Sequence, residues 1–232
     1  MSRTFTLADS QTLDDLQVFL ARAARIEEGS VRLIAGSGVL AVYTAILYPV
    51  GLLDESPTVL GLRTIALGPN ADGSADTFDV VVPVRSLLTR LESVQGTRTA
   101  DPSITGSATI SLPMEVNTVT WAAISPPRGG WHPVSATTAL VLDAAARAGI
   151  DEVAAAIPDA VGEQIVRRVR SEVWARPIPG LEHVPAGAGF AALGLGFLGD
   201  DEVRIFETGP WTRLTMQRGH ILVKRKAWTL AR

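Results

Sequence analysis

Between Val31 and Val82 the chain is cut into short segments rich in Val, Ile, Leu, Thr and Tyr. Gly-Ser-Gly at 36–38, Leu-Leu-Asp-Glu-Ser-Pro at 52–57 and Gly-Pro-Asn-Ala-Asp-Gly at 68–73 do the cutting. Segments too short for stable helices, β-branched and bounded by Gly, Pro and Asp, read as strands joined by tight turns. The expected strands are Val31–Ala35, Val39–Leu47, Thr58–Leu67 and Thr77–Val82. Connections this short cannot carry parallel crossovers, so the sheet is antiparallel.

A helix flanks this block. Leu13, Leu16, Phe19, Leu20, Ala23 and Ala24 recur at helical spacing, with Thr12 as the expected N-cap, Asp14 and Asp15 in the first turn and Gly29 as the stop. Residues 3–7 alternate and form a further strand. A short helix over Val84–Leu91, a loop over 92–106 and strands near 107–112 and 116–123 follow. From Ser135 the pattern turns helical. Helices are expected over Ser135–Ala148, ended by Gly149, from Asp151 to Pro158, over 160–175 and over Ala186–Leu198. Strands at 202–207, 211–217 and 220–225 close the chain. The class is α+β: an antiparallel sheet, a long N-terminal helix, a helical second half and a C-terminal β-hairpin. One domain over 1–232 is expected, with a soft subdivision into a β-rich 1–132 and a helical 133–232.

Apolar residues make up 47% of the 232 and charged ones 19%, which excludes disorder. Mean hydropathy is +0.23, but the longest apolar runs, Gly38–Leu53 and Ala186–Gly199, fall short of the roughly 20 residues of a spanning helix. The absence of cysteine excludes disulfides, thiol nucleophiles and thiolate metal sites. With no apolar leader after Met1, a cytoplasmic location is expected and a membrane partner is not.

Catalytic signatures are missing. Neither a phosphate-binding Gly-x-x-x-x-Gly-Lys nor a Gly-x-Ser-x-Gly elbow occurs. Gly187-Ala-Gly189-Phe-Ala-Ala192 has the outline of a dinucleotide fingerprint, but Glu182–Pro185 before it makes a poor strand. Too few residues follow for a nucleotide domain. The small residues Ala188, Ala192 and Gly196, four apart, point instead to close helix packing. His132, His183 and His220 are out of helical reach of one another, and the paired carboxylates sit at helix ends and turns. No catalytic residue, metal or cofactor is expected, and enzyme activity is the less favoured class.

Two surfaces stand out. The first is the loop from Trp121 to His132, where Pro126-Pro127 and Gly129-Gly130 hold Arg128 between Ser125, Trp131 and His132. These four are candidate ligand contacts for an anionic or planar molecule. The competing reading is a buried turn in which Trp131 staples the sheet to the helices. The second is the tail. Residues 208–232 carry six cations and no acid, and since the whole chain has a net charge of −3, residues 1–207 carry −9. A turn at Arg218-Gly219 pairs Met216 with Ile221 and Leu214 with Val223. On the other face it sets Arg213 opposite Lys224 and Trp211 opposite Lys226. These four are candidate anion or partner contacts, because like charges across a ladder repel.

Three stretches resemble an uncharacterised conserved protein family of high-GC Gram-positive, actinobacterial, bacteria. They are Thr58–Leu67, Ser125–Trp131, and Pro185–Gly199 with Gly209–Val223. The resemblance covers most of the chain and implies no activity. The leading functional expectation is a non-enzymatic binding or regulatory protein acting as a homo-oligomer, a homodimer in the simplest case, with an acidic protein partner as a further possibility. The alternatives are a small-molecule enzyme at the Trp121–His132 loop and a nucleic-acid binder using the tail, although no nucleic-acid module is present.

Overall fold

A computed structural model of the chain describes residues 3–51, 54, 56–70, 73–100, 106–157 and 162–225. It is α+β, with antiparallel strands, a long N-terminal helix, a helical second half and a C-terminal hairpin. Its contacts divide into two units, Met1–Thr44 with Leu62–Ala122, and Ala45–Gly61 with Ala123–Arg232.

In the first unit, β1 (Thr4–Leu7) pairs antiparallel with β6 (Ala108–Ser111). The main strands are β2 (Ser30–Gly36), β3 (Val39–Leu47), β4 (Thr58–Ala66) and β5 (Phe78–Pro83), in the order β5-β2-β3-β4. Period-two alternation puts Val31, Leu33 and Ala35 inside, with Leu33 opposite both Val42 and Val80. Arg32, on the other face, donates to both carboxylate oxygens of Asp79 (2.8 and 2.6 Å) and to the Ala122 carbonyl (2.8 Å).

Helix α1 (Ser10–Ile26) buries the six apolar residues that its periodicity selects. Its cap is Asp9 rather than Thr12. The Asp9 carboxylate accepts from the Thr12 N–H and hydroxyl, both at 2.7 Å, and a carboxylate is the stronger acceptor for an orphan N–H. Helix α2 (Val84–Ala100) runs well beyond the expected Leu91. Its buried face does end at Leu91. The last turns are polar, with Thr97 and Thr99 donating to the carbonyls of Ser93 and Gln95, so the apolar period that announces a helix is missing there. The expected strand at 116–123 does not form. The stretch makes one sheet-like bond, Val116 N–H to the Val81 carbonyl at 2.8 Å. It then enters a 3-10 turn over Thr120–Ala123 that buries Trp121.

The second unit holds the ends of β3 and β4 that lie within Ala45–Gly61, and the strands β7 (His132–Thr137), β10 (Val203–Thr208), β11 (Trp211–Met216) and β12 (Gly219–Lys224), in the order β4-β12-β11-β10-β7. Two short strands, β8 (Pro177–Ile178) and β9 (Leu181–Pro185), pair with each other. The segment over Glu182–Pro185, a poor strand by composition, is therefore extended and paired. Its helices are α3 (Ala139–Ala156), α4 (Glu163–Trp174) and α5 (Ala186–Gly194).

Helix α3 corrects two expectations. Residues 135–137, expected to start a helix, belong to the edge strand β7, and the helix passes through Gly149 without stopping. Gly149 is there for space: a Cβ would lie 2.3 Å from the Trp174 ring. Gly189 does the same for α5, where a Cβ would lie 2.6 Å from the Leu142 carbonyl oxygen. Trp174 stacks on Phe190 with ring centroids 4.4 Å apart. The Gly- and Ala-rich string thus brings α5 against α3, and Ala188, Ala191 and Ala192 are fully buried.

Candidate functional site

The sheet of the second unit offers two chemically different faces. Antiparallel pairing sets Trp211 opposite Lys224, Arg213 opposite Leu222, Thr215 opposite His220 and Met216 opposite Gly219. The two-residue turn is Gln217-Arg218, not Arg218-Gly219, so the expected pairing of Arg213 with Lys224 does not occur. Trp211 does not face Lys226 either, since Lys224 takes that place; Lys226 itself lies outside the described residues. Packing selects this register. A Cβ at residue 219 would lie 2.5 Å from the Phe197 ring, so glycine is needed where the strand passes the ring and not in the turn.

Arg213 has another role. Its guanidinium carbon lies 4.6 Å from the centroid of the Trp131 ring and 4.7 Å from that of Phe206, its cross-strand neighbour on β10. Arg204, two residues earlier on β10, lies 5.8 Å from the same Phe206 ring. Each cation–ring contact is worth about 1 kcal/mol when partly desolvated. The Arg213 Nε is buried without a hydrogen-bond acceptor. Burial first, and then the charge of Arg204, lowers its pKa from the ordinary arginine value.

The loop residues separate. Trp131 donates its indole N–H to the Pro127 carbonyl at 3.1 Å, which turns the ring onto Arg213. Gly130 allows the approach: its φ is +77°, and a Cβ would meet the Thr208 hydroxyl at 3.3 Å. Ser125 and Arg128 are exposed, and His132, also exposed, opens β7 opposite Glu207. Of the eight residues singled out in the sequence, the structure joins Trp131 and Arg213 directly. Trp211 is buried, and Lys224 lies across from it on the strand beyond.

The opposite face carries a pocket of about 840 Å³. Helix α4 supplies Arg168, Ser171 and Glu172, the β8–β9 hairpin supplies Pro177 and His183, and the end of β12 supplies Val223, with Arg225 just past it. At its edge Arg225 reaches Glu207 at 3.4 Å, Thr212 donates to the same carboxylate at 3.4 Å, and His183 Nε2 stands 4.0 Å away. His183 Nε2 and Arg225 Nε are both buried and lack a hydrogen-bond partner. A mixed apolar and polar lining suits an oriented organic ligand. Sequence reasoning missed this pocket because its walls come from segments more than a hundred residues apart, none carrying a motif.

Residues 1–111 match the family model described as a domain of unknown function, DUF8010, and residues 126–228 match a second, DUF8185. Two such matches agree with the resemblance to an uncharacterised family. No curated protein matches the chain in sequence. Solved structures do match in shape. The Caulobacter crescentus pol III beta is 10% identical at a TM-score of 0.50, covering 98% of this chain and 67% of that one. The DNA polymerase III subunit beta of Borrelia burgdorferi, in complex with a natural product, is 7% identical at 0.50, covering 98% and 66%. The fold is clamp-like.

The Pseudomonas aeruginosa subunit beta is similar at 14% identity, TM-score 0.49 and 99% coverage, and the chain again spans only 66% of it. The clamp-like fold overturns the functional expectation drawn from the sequence. The overturned expectation comprises the non-enzymatic binding or regulatory homo-oligomer, a homodimer in the simplest case, and its two alternatives, the small-molecule enzyme at Trp121–His132 and the nucleic-acid binder using the tail. The sequence held no motif through which the clamp-like fold could be read. Among the described residues, no helix is long and apolar enough to cross a membrane.

Proposed function

We propose that this clamp-like protein holds short segments of partner proteins in the pocket of its second unit. The observation that carries the reading is the pocket itself, about 840 Å³, with apolar walls at Pro57, Pro177, Pro185 and Val223 and a charged rim. That lining suits an extended peptide, whose side chains fill the apolar part while its backbone meets the rim. One β subunit of similar fold was solved in complex with a natural product, which supports ligand binding on such a scaffold. A cytoplasmic location, and partners that include other copies of the chain, belong to the same proposal.

The reading is directed at protein segments rather than nucleic acid on electrostatic grounds. Phosphate backbones are held by unpaired cations, which displace the counterions condensed on the phosphates. Here Arg3, Arg32, Arg63, Arg85, Arg147, Arg168, Arg176 and Arg225 are already paired with carboxylates of the chain.

The test is a displayed library of ten-residue peptides selected on the purified chain, with hits measured by calorimetry. Hits that bind the native protein and lose affinity in Ser171→Trp, where the indole projects from the wall and obstructs the pocket, support the proposal. Hits indifferent to Ser171→Trp, with melting unchanged, overturn it.

A further inference from the structure

The face of the sheet opposite the pocket carries three cations in a line. Register gives the geometry. Arg204 on β10 lies opposite Thr215, Arg213 is two residues back along β11, and Lys224 on β12 lies opposite Trp211, two residues further back. Thr215, Arg213 and Trp211 share one face of β11, so all three cations share it and form a diagonal across three strands. Diagonal neighbours of this kind are about 7–8 Å apart. The ion pairs of the described residues leave Arg204, Arg213 and Lys224 without a carboxylate, and the charged neighbour felt by Arg213 is another arginine. Trp131 and Phe206 fix the Arg213 guanidinium between their rings, leaving its outer edge as a preorganised fork of donors.

The geometry points to a binding site for an extended acidic peptide with carboxylates at every second residue, on a partner protein. In an extended chain alternate side chains lie on one face about 6.6–6.8 Å apart. That repeat comes close to the diagonal spacing of about 7–8 Å, near enough for long, flexible side chains to bring each carboxylate to one cation. Three charges in a chain of net charge −3 make a poor track for a phosphodiester polymer, whose affinity builds with each phosphate neutralised. A short peptide with the right spacing needs only the three contacts. This site is separate from the pocket and does not depend on it.

The test uses the full chain and three fluorescent probes read by anisotropy at low salt: a Glu-Ala-Glu-Ala-Glu peptide, its isomer with three contiguous Glu, and a six-nucleotide oligothymidylate. Arg204→Gln and Lys224→Gln act on the ends of the row, and Arg213→Gln on its centre. The alternating peptide is expected to bind more tightly than its isomer. Each end variant should weaken it about fivefold and Arg213→Gln about tenfold. Equal binding of the two isomers, tighter binding of the oligothymidylate, or full affinity in Arg204→Gln and Lys224→Gln overturns the proposal. The end variants alone decide the matter if Arg213→Gln fails to fold.

Discussion

Trp174 lies across Gly149 so closely that a Cβ on residue 149 would stand 2.3 Å from the ring. Helix α3 can therefore pass beneath helix α4 only with glycine at this point. The ring is buried and stacked on Phe190, so it cannot swing aside as the tip of a surface side chain would.

Gly149→Ala sets two effects in opposition. Alanine in a helix interior is favoured over glycine by about 1 kcal/mol, whereas overpacking a buried contact costs about 1–3 kcal/mol or more. The clash is deep enough for the second to win. We expect a net loss of about 1–2 kcal/mol in urea unfolding, and a gain in stability would refute the packing account.

Gly219 and Phe197 permit a sharper version of the same measurement. Gly219→Ala drives a methyl into the Phe197 ring and is expected to cost about 2 kcal/mol. In a Phe197→Leu background the same substitution should cost less than half as much. Additive costs in the double mutant would show that the two residues are not coupled.

Arg32 bridges the Asp79 carboxylate and the Ala122 carbonyl, and its bond with Asp79 raises the guanidinium pKa above its ordinary value. Arg32→Met should lose about 1.5–3 kcal/mol, the range for hydrogen bonds to a charged group. Arg32→Lys should recover little, since an ammonium cannot span both partners. Full rescue by lysine in chemical denaturation would make the site a simple point-charge contact.

Asp9 supplies the pH-dependent term. Bonds from the Thr12 hydroxyl and then the Thr12 backbone N–H lower the pKa of its carboxyl. A folded-state pKa below the unfolded value adds stability that is fully present above the unfolded value of about 3.9. That stability is lost as pH falls through the lower, folded value. Asp9→Ala should thus melt below the native protein at pH 7, with the gap narrowing as pH drops below about 4. A gap that stays constant down to pH 2 would remove the cap from the account.

Much of the fold could be read from local pattern. The strands over 30–47 and 58–83 and the buried face of α1 follow from periods of two and 3.6 in their apolar residues, because burial on one side imposes those periods directly. The reading failed where burial did not set the pattern. The end of α2 is mostly polar and has no buried residue past Leu91, β7 is an exposed edge strand, and Gly149 carries the residue type of a helix stop while serving as a packing gap.

The candidate site divides the same way. The tail's cationic character and the interest of Trp131 and Arg213 are properties of residue type, so composition by itself determined them. Their meeting depends on two decisions taken far away: the Phe197 ring, which moves the hairpin turn to Gln217-Arg218, and the Trp131–Pro127 bond, which lays the indole on Arg213. The pocket around His183 and Arg225 is wholly of this second kind. Alternation in a strand is a local constraint and is written into the sequence, whereas register and the convergence of distant segments are set by which side chains fit together in three dimensions. Only the tertiary structure decides them.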